Sequence, residues 1–91
     1  MKIDLHPRLL KRIGKFSAAD RRQISEALRS LRDGFGKPHL HAGLGIRRLR
    51  KDLFECRAGL RLRIAFLAER GALTVYDAMT HDQIKVWLRT F

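Results

Sequence analysis

Two arginines, a histidine and a carboxylate recur at short intervals in the second half of this chain: Glu55 and Arg57 in Phe54-Glu55-Cys56-Arg57, Arg63 in Leu62-Arg63-Ile64-Ala65-Phe66, and His81 in Thr80-His81-Asp82. These residue types suit cleavage of a phosphodiester without a metal. The reaction aligns a 2′-hydroxyl with the adjacent phosphorus, removes its proton, stabilises a doubly charged phosphorane and protonates the departing 5′-oxygen. Arginine fits the third task, because its planar fork stays charged and meets phosphate oxygens in pairs. Arg57, Arg61 and Arg63 are the candidates, and they share one face only if the turn at Ala58-Gly59 preserves the alternation of the strands. Histidine titrates near neutral pH, so His81 is the leading candidate for proton transfer. Glu55 reads either as a general base or as a charge partner for the arginines. Each residue also has an ordinary structural reading: Arg57 and Arg63 can pair with Glu55 and Asp77 across a sheet face, and His81 can sit hydrogen-bonded at a helix start.

Charge supports a polyanionic partner. Twenty Lys and Arg against nine Asp and Glu give the 91 residues a net charge of +11, which favours RNA, DNA, the ribosome or an acidic protein. Arg48, Arg50 and Lys51 are expected to hold an RNA backbone. Trp87 can stack on a base, although a tryptophan in an apolar stripe also reads as core. Arg21, Arg22, Arg29 and Arg32 form the outer face of a helix and read first as a solvated surface. No apolar run approaches the roughly 20 residues of a membrane-spanning helix, and Asp4 and Arg8 interrupt any secretory signal, so a cytoplasmic protein without a membrane partner is expected. The lone Cys56 alternates with Phe54 and reads as a small buried residue. His39 and His41 match no usual zinc spacing, so neither a metal site nor a cofactor is expected.

The elements that must position these residues follow from periodicity. Lys2 to Leu5 is a strand only if it borrows a neighbour, and Pro7 begins a helix carrying Leu9, Leu10, Ile13 and Phe16, weakened at Gly14. Ser17 with Asp20 three residues on caps a second helix, in which Ile24, Ala27, Leu28 and Leu31 recur until Asp33-Gly34 closes it. Residues 34 to 45 contain four glycines, a proline and two histidines and read as the longest loop. Strands are expected over 46–50, 53–57, 60–67 and 72–79, joined by short turns as antiparallel hairpins. Thr80 and Gln83 form a capping box for a terminal helix displaying Ile84, Trp87 and Leu88. One domain, residues 1–91, with a single core is expected from the chain length.

From Arg48-Leu49 through Phe54-Glu55-Cys56-Arg57, Arg63-Ile64-Ala65-Phe66 and Thr80-His81-Asp82 to Val86-Trp87, the chain resembles the RelE/ParE superfamily of toxins from type II toxin–antitoxin modules, on its RelE-like branch. The resemblance implies an α+β fold, with two N-terminal helices packed on a twisted antiparallel sheet of about four strands and a short C-terminal helix. It further implies a ribosome-dependent mRNA endoribonuclease and a cognate acidic antitoxin. Within it Arg63 looks like the phosphate-binding arginine, with Leu62 in place of the pattern's leading aromatic residue. His81 matches the position of a catalytic histidine or arginine, and Trp87 stands where relatives place a tyrosine, without that tyrosine's hydroxyl. ParE-like relatives act instead on DNA gyrase, and a non-enzymatic RNA- or ribosome-binding protein accounts for the charge equally well.

Overall fold

Apolar residues that alternate along 46–79 fold into a four-stranded meander, and the rest of the chain is arranged around it. The computed structural model covers Met1–Phe91. The elements are β1 (Lys2–Leu5), α1 (Pro7–Arg12), α2 (Ala18–Gly34), α3 (Pro38–Leu44), β2 (Arg47–Arg50), β3 (Leu53–Ala58), β4 (Leu62–Glu69), β5 (Ala72–Thr80) and α4 (His81–Leu88), with a 3₁₀ turn over Ile13–Lys15. No helix is long and apolar enough to cross a membrane.

The sheet has five strands in the order β1-β5-β4-β3-β2. Four of them form the antiparallel meander, whereas β1 lies parallel to β5, with Ile3 opposite Leu73 and Leu5 opposite Val75. Lys2 to Leu5 thus finds its neighbour at the far end of the sequence, and the sheet is mixed rather than wholly antiparallel. Its partner is supplied by a crossover spanning most of the chain, which local pattern does not reveal.

The helices depart from expectation in two places. Pro7 does open α1, but the helix ends at Arg12, and Phe16 already has extended backbone. Gly14 weakens helical propensity there, and Ser17 must stay extended to accept from the Asp20 N–H as the N-cap of α2. The second correction concerns residues 34 to 45, which are not one long loop: Pro38 occupies the first turn of α3, and Gly45 ends that helix at φ 69°. Proline at the start and glycine just beyond the end are regular helix punctuation. His41 secures the preceding turn by accepting the Gly36 N–H at its Nε2, 3.0 Å away.

Both faces of the sheet are covered. Leu62, Ile64 and Phe66 of β4 join Leu9, Ile24 and Leu31 in an eleven-residue cluster beneath α1 and α2. On the opposite face Leu53, Ala65 and Met79 meet Ile84 and Trp87 of α4 in a five-residue cluster. Strand alternation makes this division. Each fully buried aliphatic or aromatic side chain contributes roughly 1.5–3 kcal/mol, so the small second cluster is enough to dock α4 on the sheet.

Candidate functional site

Registration of β3, β4 and β5 decides which polar residues meet. Arg57 pairs with Arg63, Arg63 with Met79, and Leu62 with Thr80. Arg57 and Arg63 therefore leave the sheet on the same face, Arg63 one residue row from the strand end where His81 begins α4. The Arg57 side chain, however, turns back toward α3 and lines a cavity with Gln23, Glu26 and Leu31 of α2. The Thr80 side chain accepts from the Gln83 N–H, and the Gln83 side chain accepts from the Thr80 N–H, closing the anticipated capping box. This cap fixes the chain reversal that carries His81, which is exposed.

The three groups differ in their partners. Arg57 Nη2 donates to the carbonyls of Ala42 and Gly43 at 3.3 and 3.4 Å, tying β3 to the C-terminal end of α3. Arg63 is half-buried and enters none of the chain's six ion pairs. Neither arginine pairs with Glu55 or Asp77, because those carboxylates bind others: Glu55 meets Arg47 at 3.2 Å, and Asp77 meets Arg8 and Arg12. Lys85 follows His81 by four residues and so shares its helix flank, a cation that the i, i+4 spacing alone was able to disclose.

Several expected site residues stand elsewhere. Arg61 lies in the turn before β4 and pairs with Asp20 at the first turn of α2, away from Arg57 and Arg63. Arg50 donates to the Leu88 carbonyl and, at 3.0 Å, to that of Phe91, so it holds the end of α4. Arg48 lies over the Phe54 ring, 5.4 Å from its centroid. Arg50 and Lys51 lie at the β2–β3 turn, about 13 Å along the strand from Arg57 at the usual rise per residue, and Arg48, opposite Phe54, is about 10 Å away on the other face of the sheet. Trp87 is 9% exposed and packs 4.7 Å from Phe91 and 5.9 Å from Tyr76. It is a core residue with one edge at the surface rather than an open stacking platform. Glu55 is 1% exposed, and its Oε2 is buried with no hydrogen-bond partner. Buried in this way it cannot act as a general base on a bound nucleic acid.

Two further features frame the site. Asp77 is fully buried, accepts from Arg8 Nε at 2.7 Å and from Arg12, and also caps the Ala78 N–H. Beside this clamp a cleft of about 590 Å³ opens between α1 and α4, lined among others by Arg8, Arg12, Met79, Asp82, Val86 and Trp87. Neither was visible from the sequence, since Arg8 and Asp77 are 69 residues apart. Burial, together with the charge of neighbouring Glu55, pushes the Cys56 thiol up to about 12, so the thiol stays protonated and inert at neutral pH. No three His, Cys, Asp or Glu side chains converge in a way that could hold a metal ion.

No family model matches the sequence, and no curated protein does. Solved structures do match. RelE in an archaeal RelE–RelB complex from Pyrococcus horikoshii superposes with a TM-score of 0.70 at 15% identity, over 87% of this chain and 92% of that one. A YoeB/ParE toxin from Agrobacterium tumefaciens gives 0.67 at 18% identity, over 89% and 99%. YafQ from Escherichia coli gives 0.69 at 14% identity, over 91% and 96%. With its mixed five-stranded sheet, two helices on one face and a terminal helix on the other, the chain has the fold of the RelE-like toxins.

Proposed function

We propose that this chain is the toxin of a toxin–antitoxin pair and that it cuts mRNA on the ribosome, through attack of a 2′-hydroxyl on the adjacent phosphate. The observation that carries this reading is Arg63, a half-buried guanidinium with no ion-pair partner, registered against Arg57 and one row from the strand end that presents His81. Leaving a partly desolvated cation unpaired beside a second one is unfavourable unless an anion completes the site.

In this mechanism Arg63 binds the scissile phosphate and stabilises the charge that develops on its oxygens. Arg57, turned toward the α3 carbonyls, adds a second positive charge at longer range. His81, exposed at the start of α4, protonates the departing 5′-oxygen, and the proton of the attacking 2′-hydroxyl passes to solvent water. Lys85 on the same flank draws the backbone in, and the remaining surface arginines steer the polyanion. Glu55 has no part in the chemistry, Arg48 lies over Phe54 on the other face of the sheet, and Lys51 is too far from Arg57 to touch the same phosphate. The net charge of +11 also suits an acidic antitoxin, in keeping with the RelE–RelB neighbour.

The test is induction of the wild-type chain, Arg63→Ala and His81→Ala in a bacterial host, with growth and the 5′ ends of cellular mRNAs followed together and folding checked by circular dichroism. Growth arrest with new in-frame cuts, abolished in both folded variants, is the expected result. Arrest with intact mRNA would move the target to DNA gyrase. No arrest, with RNA binding retained, would leave a non-enzymatic binding protein.

A further inference from the structure

The cleft between α1 and α4 lies outside the mechanism above. On α4, Asp82, Val86 and Trp87 line it, whereas His81 and Lys85 project from the other side of the helix, since residues four apart share a flank. One wall is basic and fixed: Arg8 and Arg12 are both anchored on the buried Asp77 carboxylate, yet their side chains remain 43% and 35% exposed. The facing wall carries Asp82, a carboxylate that enters none of the chain's ion pairs despite the large excess of cations. Met79, Val86 and the edge of Trp87 supply apolar surface between them.

This combination selects among occupants. A purely anionic group is opposed by Asp82, and a basic peptide is opposed by the two arginines and by the net charge of +11. A flat group bearing adjacent N–H donors on one edge and acceptors on another satisfies both walls. Guanine does so: its N1–H and N2–H₂ can donate in parallel to a carboxylate, and its O6 and N7 accept from a guanidinium fork. About 590 Å³ lies within the usual range for a small-ligand site.

We propose that this cleft is a base-recognition subsite for a guanine of single-stranded RNA, on the flank of α4 opposite Arg57, Arg63 and His81. The proposal rests on the RNA reading above for the source of the base, but its test involves no cleavage and no ribosome. Trp87 is the only tryptophan, so its fluorescence reports on the cleft directly. Titration of the intact protein with guanosine 3′,5′-bisphosphate should quench this emission saturably, with an affinity about tenfold or more above that for adenosine 3′,5′-bisphosphate, the discrimination typical of one bidentate contact to a base. Asp82→Asn, at an exposed position, should fold and lose the preference. Arg63→Ala should keep it, whether or not that variant still arrests growth. Equal responses to the two nucleotides, no response to either, or loss of the guanosine response in Arg63→Ala would each overturn the proposal.

Discussion

Arg57 and Arg63 stand directly opposite one another across β3 and β4, two like charges in a single cross-strand pair. Such pairs destabilise a sheet by a few tenths to about 1 kcal/mol. Arg57 turns away to the carbonyls at the end of α3, and Arg63 makes no compensating ion pair. Arg63→Ala is therefore expected to leave the thermal midpoint unchanged or raise it by a few degrees, because nothing is lost except repulsion and the packing of the stem. Activity should fall at least 100-fold, as when a single donor to a developing oxyanion is removed. Differential scanning calorimetry and the growth assay on one protein preparation decide this. A large loss of stability would make Arg63 structural and sink its assignment.

Asp77 should behave in the opposite manner. It is fully buried, and it receives Arg8 and Arg12 from α1. Those arginines are partly exposed and can be rehydrated, so the cost of breaking the clamp is less than for a wholly buried pair, about 2–3 kcal/mol. Asp77→Ala should therefore unfold at clearly lower urea concentration, while Arg8→Ala, which leaves the Arg12 contact, should lose under half as much. Equal losses in the two variants would show that the arginines do not share the carboxylate.

The difference between the Arg57–Arg63 pair and the Asp77 clamp also explains what was legible in the amino-acid sequence. The meander, α2 and the α4 capping box follow from contacts within a few residues, and periodicity exposed them. A shared face for Arg57, Arg61 and Arg63 depended in the sequence on the turn at Ala58-Gly59, and the register opposes Arg57 to Arg63 while leaving Arg61 in the turn. The partners of β1, of Asp77 and of Arg50 lie 38 or more residues away, beyond the reach of local pattern. Arg61 and Arg50 were indistinguishable in sequence from free surface cations, since only the tertiary fold brings Asp20 and the end of α4 to them. α3 had its signals, Pro38 and Gly45, but the density of glycine around them reads equally as loop.

Gly45 connects that helix to the site. It holds φ 69°, a conformation that costs a side chain about 1 kcal/mol, and a Cβ there would lie 2.6 Å from Arg57 Nε and 2.8 Å from its Cγ. Gly45→Ala should therefore both destabilise the chain by about 1–2 kcal/mol and displace the Arg57 guanidinium. Activity at a temperature where the variant remains folded is expected to drop to the level of Arg57→Ala. Retention of full activity at that temperature would mean that the position of Arg57 is irrelevant to function.

Cys56 gives a dependence on pH with a definite sign. Its thiol rises from 9.0 to about 12 in the folded chain, first through burial and second through the charge of Glu55. Between those values the native state keeps a proton that the unfolded chain has released, so stability falls as pH rises. The contribution is fully present below about pH 9 and is lost progressively as pH approaches 12, to a total of roughly 4 kcal/mol at about 1.4 kcal/mol per unit. Cys56→Ala removes this dependence while leaving a small cavity worth about 1 kcal/mol. Urea unfolding at pH 7.5 and pH 10 should therefore show the wild-type chain losing more stability over the interval than the variant, by about 1–1.5 kcal/mol. The buried thiol should also resist iodoacetamide at pH 8 until the protein is denatured. Parallel losses in the two proteins, or rapid alkylation of the native state, would show that the thiol is less enclosed by β3 and α2 than its position in the larger core cluster implies.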